Sequence, residues 1–334
     1  MRRTGVFDER ELNRAAELLA SSEPVMIFGH EWPDGDAIGA VLGLGIALAE
    51  KGKRVQMSWP GPLEMPQKYQ FLPEIEKLVA SRELRPEGIA IAVDCATEDR
   101  LKELKEVAFA AGGLINIDHH PDNTRFGSVN LVDETAAATC EILYAICEKL
   151  GFAVGYEAAL CLYTGIVTDT GRFQFSNTTA GTLATASGIL SKGVKPNFVY
   201  ENVYQSNSLA YIRLTGEVLT RAVYDEDLSF VYGWIKQEDL KKFGVRLYET
   251  EDLIDDLRAL KGHVIAAVFK EQPSGAIRVS VRSRLECDIG SIARKLGGGG
   301  HRVAAGYTSA RGTLEEAVEE LKGEIIASGR SGNS

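Results

Sequence analysis

Between His30 and Asp36 the chain reads His-Glu-Trp-Pro-Asp-Gly-Asp, directly after the apolar run Val25-Met26-Ile27-Phe28. One imidazole and two carboxylates crowd into a turn whose proline and glycine fix the backbone, so three donors can converge on one cation. Further donors stand where other apolar runs end: Asp94 after Ile89 to Val93, and Asp118-His119-His120 after Leu114 to Ile117. Asp169, in Gly165-Ile166-Val167-Thr168-Asp169-Thr170-Gly171, can reach the same place from a helix end. Carboxylates 34, 36, 94 and 169 repel one another unless they take up protons or divalent cations compensate them, and two divalent ions balance four such charges. Oxygen donors with some imidazole and no thiolate favour Mn²⁺ over Mg²⁺, Co²⁺ or Zn²⁺. Each aspartate alone has a plainer reading, Asp36 for example as a helix N-cap, but capping does not explain why all of them converge.

The elements that must position these donors follow from the hydrophobic pattern. Strand-like runs end at His30, Ser58, Asp94 and His119, with helix-like stretches such as Ala37 to Lys51 and Glu98 to Ala110 between them. That alternation predicts an α/β fold with a parallel sheet, whose ligands gather beyond the carboxyl ends of the strands. Gly39, Gly43 and Gly45 weaken the first of these helices, so they are expected to allow close packing on the sheet. Residues from about 135 to 192 read as helical, and 193–207 as a connector with Pro196 early in it. Beyond it, strands are expected at Phe230 to Ile235, His263 to Phe269 and Ile277 to Val281, then a glycine cluster and a helix from Thr313 to about Ala327. The division is therefore a domain over 1–192, a connector over 193–207 and a smaller α+β domain over 208–330, with 328–334 disordered.

Composition narrows the function. The 334 residues are 45% hydrophobic, enough for two cores, and carry a net charge of -10, which argues against holding long nucleic acid on a broad basic surface. Five cysteines show no CxxC spacing and make an odd count, which fits a reducing compartment. The N-terminus has no apolar signal region and no apolar run is long enough to cross a bilayer, so a cytoplasmic protein without membrane association is expected. Of the five histidines only His263 falls outside a motif-like setting and reads as structural. Between Arg278 and Arg302 six basic residues face two acidic ones, a local excess of four in an acidic chain.

The set His30/Asp34/Asp36, Asp94, Asp118-His119-His120 and Asp169 resembles the motifs of the DHH phosphoesterase superfamily. Gly297-Gly298-Gly299-Gly300-His301-Arg302, with Arg282-Ser283 upstream, resembles the glycine-rich signature of its associated C-terminal domain. The resemblance covers nearly the whole chain in the expected order. It implies two metals, one held by His30, Asp34 and Asp94 and the other by Asp36, Asp94, His119 and Asp169, in a cleft between the domains. It further implies His120 and Asp94 as catalytic residues, His120 facing the phosphate, and Asp118 as an orienter of the cluster. Arg282, Ser283, Gly299, Gly300, His301 and Arg302 would engage the substrate, with Arg125 and Arg172 as lower-ranked phosphate candidates.

The implied reaction is in-line hydrolysis of a phosphoester by water, with no covalent enzyme intermediate. Length and layout resemble the bacterial nanoRNases, which degrade dinucleotides and short oligoribonucleotides to 5′-mononucleotides and in some cases dephosphorylate 3′-phosphoadenosine 5′-phosphate. A cyclic di-AMP phosphodiesterase is the principal alternative; a RecJ-like exonuclease, a manganese pyrophosphatase and a non-catalytic nucleotide-binding regulator rank lower. Long duplex nucleic acid is not expected as a partner, and the oligomeric state is open, a homodimer included.

Overall fold

The computed structural model describes residues 8–21, 24–284 and 287–329; of the tail expected to be disordered, 330–334 lie outside that range. The described residues divide between Ser206 and Asn207 into two compact units. In chain order the first contains α1 (Glu9–Ser21), β1 (Val25–Phe28), α2 (Gly35–Glu50), β2 (Val55–Ser58), β3 (Ile89–Val93), α3 (Leu104–Ala110), β4 (Leu114–Asp118) and β5 (Val129–Val132). Four helices follow: α4 (Thr139–Leu150), α5 (Tyr156–Asp169), α6 (Ala180–Leu190) and α7 (Pro196–Tyr204).

The five strands form a wholly parallel sheet in the order β2-β1-β3-β4-β5. From β2 the chain passes to the other side of β1, so the order reverses at β1 and β3, which pair with Ile27 opposite Ile91. Beside such a reversal the connections leave in opposite directions and open a crevice at the carboxyl ends of the strands. Strands β1, β3 and β4 are buried along their whole length, which is why they read as continuous apolar runs.

Helix α2 is buried from Gly35 to Leu48, so its glycines sit in tight packing rather than at the surface. A Cβ on Gly39 would come within 2.5 Å of the Cys161 carbonyl oxygen and one on Gly43 within 2.8 Å of Leu162, both in α5, whereas one on Gly45 would meet Met57 of β2 at 2.2 Å, so of the three only Gly45 packs on the sheet as expected. Three other expectations change. The stretch Glu98 to Ala110 is a short 3-10 turn, then a break at Lys102 (φ 47°), then α3. Segment 193–207 is mostly helix, because Pro196 occupies the first turn, where its fixed φ and missing N–H suit a helix start. Its Val199 and Val203 join the core of the first unit. Strand β5 was missed altogether.

The second unit contains α8 (Leu209–Thr220), β6 (Val223–Asp225), β7 (Phe230–Ile235), α9 (Gln237–Phe243), α10 (Leu253–Leu257), β8 (Ile265–Glu271), β9 (Ile277–Ser283), α11 (Ile289–Lys295), β10 (Gly299–His301), β11 (Ala304–Ser309) and α12 (Leu314–Ala327). Its mixed sheet has the order β10-β11-β9-β8-β7-β6, with only β7 and β8 parallel. One face packs Phe269, Val279 and Tyr307 against Ile292 of α11 and Leu321 of α12. The other packs Ala266 and Val268 against Leu214 of α8 and Ile254 of α10. No helix among the described residues is long and apolar enough to cross a membrane.

Candidate metal centre

Three of the strand ends deliver the predicted donors to the crevice. His30 lies just past β1 and is 5% exposed. Its Nδ1 is 2.8 Å from the Glu31 carbonyl oxygen, which can only accept, so Nδ1 carries the proton and the Nε2 lone pair points inward. Nε2 is 3.5 Å from Oδ2 of Asp94. Asp94 follows β3 in the left-handed region (φ 57°), which few residues other than glycine, asparagine and aspartate adopt readily, and its N–H donates to the Ile117 carbonyl at 3.0 Å. That turn swings the carboxylate over the sheet edge, where Thr139 Oγ1 donates to Oδ1 at 3.0 Å.

Asp34 and Asp36 have exchanged the roles that helix capping suggested. Asp34 is the N-cap of α2, accepting from the N–H groups of Asp36 at 3.0 Å and Ala37 at 3.1 Å. Asp36 instead sits in the first turn, 1% exposed, and accepts from the N–H groups of Thr139 at 2.6 Å and Cys140 at 3.0 Å. The positive end of α4 thus anchors this carboxylate. A Cβ on Gly165 of α5 would come within 2.8 Å of Asp36 Oδ1, so α5 can pass this close only with glycine there.

His119, next after β4, aims Nε2 at Asp94 Oδ1 and Asp169 Oδ2, each at 3.5 Å, and at Asp36 Oδ2 at 4.0 Å. His120 behaves differently. Its Nδ1 donates to Oδ1 of fully buried Asp118 at 2.8 Å, and Asn123 Nδ2 donates to Oδ2 of the same carboxylate at 2.6 Å. Burial works against a charge on His120, but Asp118 and then Asp94 outweigh it and push the imidazole up to about 10. His120 Nδ1 is committed to Asp118, which leaves only Nε2 to offer, and with Asp94 and His119 this residue makes a further group of donor atoms within 4.8 Å of one another.

His30, Asp34 and Asp94 offer donor atoms within 4.8 Å of one another, and so do Asp36, His119 and Asp169. Asp94 faces His30 with one oxygen and His119 with the other, so it lies between the two groups. The donor chemistry fits divalent cations. Burial, followed by the charges of Asp94 and Asp169, raises the Asp36 carboxyl well above its ordinary range. Burial likewise opposes the charge on Asp94, yet without a cation the neighbouring imidazoles of His30, His120 and His119 hold it below that range. Two positive ions among these oxygens would relieve the first conflict and replace the second compensation. Cys140 and Cys95, although adjacent, keep their thiols protonated because burial raises both.

Several contributors were not foreseen. Thr139 and Cys140 supply backbone and hydroxyl donors from the start of α4, and Asn123 braces Asp118. Asn123 did carry a signal, a polar amide three residues beyond Asp-His-His, whereas Thr139 follows three alanines with nothing to mark it.

Of the remaining candidates, Arg125 and Arg172 are exposed in the first unit, Arg172 over the Tyr204 ring at 4.9 Å, and the others belong to the second unit. Arg282 lies on β9, where one guanidinium N–H donates to the Val281 carbonyl at 3.1 Å. Ser283 is 3% exposed and its hydroxyl donates to the Cys287 carbonyl at 2.6 Å. Gly299, Gly300 and His301 form β10, opposite Gly306, Ala305 and Ala304 of β11, and Arg302 is exposed in the turn between them. The backbone of the glycine cluster is committed to a strand from Gly299 onward.

Comparison with known proteins identifies the family. The N-terminal domain model of the DHH family matches residues 24–166, and the DHHA1 domain model matches residues 228–327. The chain belongs to the DHH family and is a hydrolase of phosphoester bonds. Among its relatives is the bifunctional oligoribonuclease and PAP phosphatase NrnA of Thermus thermophilus, 34% identical over 93% of this chain and 92% of the relative. The protein of the same name from Bacillus subtilis is 29% identical over 85% of this chain and 88% of its own. An exopolyphosphatase-related protein from Bacteroides fragilis, of known crystal structure, is 25% identical with a TM-score of 0.89, covering 97% of this chain and 98% of that one.

Proposed function

We propose that this protein hydrolyses dinucleotides and short oligoribonucleotides to 5′-mononucleotides, and 3′-phosphoadenosine 5′-phosphate to AMP, with two Mn²⁺ ions. The observation that carries the reading is Asp94 standing between two donor groups, with the Asp118-paired His120 beside them. His30, Asp34 and Asp94 would hold one ion, and Asp36, Asp94, His119 and Asp169 the other. Bound there, the ions supply Lewis acidity to the phosphoryl group and lower the pKa of water. Predominantly oxygen donors with two imidazoles support Mn²⁺.

The chain's own residues do the rest. The Nδ1 protons of His30 and His120 are held by a carbonyl and a carboxylate respectively, so neither ring can turn without losing a hydrogen bond. His120 presents positive charge to the phosphoryl oxygens and holds a proton that the leaving oxygen can take. Arg282, His301 and Arg302, on β9 and at the β10–β11 turn of the second sheet, are suited to the nucleotide's phosphate or base, and Gly299 of β10, with open space where a Cβ would stand, allows close approach. The two NrnA relatives named for oligoribonuclease and PAP phosphatase activity support the substrate class.

With Mn²⁺ present, turnover of pApA, a five-nucleotide RNA, a twenty-nucleotide RNA, 3′-phosphoadenosine 5′-phosphate, cyclic di-AMP and pyrophosphate tests this. The expected order places pApA and the five-mer first. Preference for the twenty-mer or for cyclic di-AMP would overturn the short-substrate reading. Full activity in Mg²⁺ with none in Mn²⁺ would overturn the metal.

A further inference from the structure

Trp32 sits inside the His30 to Asp36 turn without being a donor. It is 58% exposed, whereas Trp59 is 1% exposed and Trp234 is half-buried. Its backbone lies in the left-handed region, at φ 56°, which a bulky aromatic residue rarely adopts. An isolated exposed apolar side chain is ordinary. An exposed indole held in an unfavourable backbone conformation, two residues from His30 and two from Asp34, is not, and strain of this kind gathers where a side chain must be aimed.

The loop is fastened on both sides of the indole. On one side Glu31 N–H donates to the Arg100 carbonyl at 3.3 Å, and Lys102 Nζ lies 3.5 Å from the Glu31 carboxylate. On the other, Asp34 is fixed as the cap of α2. The backbone that carries the indole is therefore held beside the donors, with Arg100 exposed on the adjoining turn. What lies next to a phosphate in a nucleotide is its nucleoside. An aromatic face takes any base by stacking, and a neighbouring cation strengthens the contact.

We propose that Trp32 stacks on a nucleobase of the substrate and so selects nucleotides over other phosphoesters. The inference rests on the proposed function and adds the residue that would recognise the base. Stacking of one base predicts that Trp32→Ala raises KM for pApA on the order of 10- to 100-fold, with kcat changed by less than about threefold. Trp32→Phe should recover most of the loss. On a dinucleotide analogue lacking both bases, wild type and Trp32→Ala should have the same KM. In the Mn²⁺-loaded protein AMP should quench tryptophan fluorescence, and Trp32→Phe should abolish that quenching.

Unchanged KM for pApA in Trp32→Ala overturns the proposal, as does an equal loss on the abasic analogue, which would show an effect on the donors instead. Quenching that persists in Trp32→Phe also overturns it. If wild type leaves pApA intact, the proposed function falls, and the quenching by AMP still decides whether the indole meets a base.

Discussion

The two sheets handle charge in opposite ways. The parallel sheet of the first unit brings carboxylates from distant parts of the chain to one edge, because three strands run the same way and stop together. Its buried centre has more anions than the nearby imidazoles can balance. In the second unit charge is spread along strands: Arg278, Ser280 and Arg282 alternate on one face of β9, with Lys270 of β8 opposite Arg278 and Ala266 opposite Arg282. Lys270 is fully buried and paired with Glu251 at 2.9 Å, and Arg278 lies 4.0 Å from the same carboxylate. One sheet is short of cations and the other is rich in them. Strand direction contributes to the contrast, since the carboxyl ends of parallel neighbours coincide while those of an antiparallel pair lie at opposite ends of the sheet.

Removing a charge should therefore have different consequences in the two units. In the first, Asp94→Asn takes away the carboxylate between the donor groups and should cut kcat by about a thousandfold or more, within the range for essential groups of a metal site. Metal content measured on the purified variant should fall with it, while the melting temperature stays close to wild type; retained metal with retained activity would remove Asp94 from the centre. Glu251→Gln should act on folding. It leaves Lys270 buried without its counter-charge, which costs roughly 2–3 kcal/mol, less than the ~3–5 of a fully buried pair because Glu251 is partly exposed.

The same residue gives a pH test. Despite burial, Lys270 and then Arg278 hold the Glu251 carboxyl down at about 2, against 4.5 ordinarily. Its contribution to stability is complete above about 4.5 and is lost as pH falls toward 2. Denaturant unfolding from pH 5 to 3 should show wild type losing more stability than Glu251→Gln, and parallel curves would refute the pairing. Asn123→Ala should lower activity about 10- to 100-fold by loosening Asp118 and hence His120, which is typical of groups that orient a metal site. Arg282→Ala should be mildest, raising KM about tenfold through loss of one charge-assisted hydrogen bond at constant kcat. An unchanged KM would detach Arg282 from substrate.

Much of the first unit was legible because its signals are contiguous. Strand, donor-bearing turn and helix follow one another from Val25 to Glu50, and a fully buried parallel strand reads as an unbroken apolar run. Partners supplied from elsewhere were not legible. Strand β5 is Val-Asn-Leu-Val, too short and too polar to stand out until β4 pairs with it. Residues Gly299 to His301 have almost no intrinsic strand preference and acquire their structure from β11. Thr139 reveals its role only once the fold places it 3.0 Å from Asp94.

Gly165 carries a warning for anyone engineering a more heat-resistant form. A glycine inside a helix ordinarily costs about 1 kcal/mol relative to alanine, which makes it an attractive first substitution. Here the added methyl would meet Cys140 Sγ at 2.3 Å and Asp36 Oδ1 at 2.8 Å. The helical gain would be outweighed by overpacking a buried contact and by displacing an aspartate fixed by two backbone N–H groups, so Gly165→Ala should lower the melting temperature and disturb the donor set together.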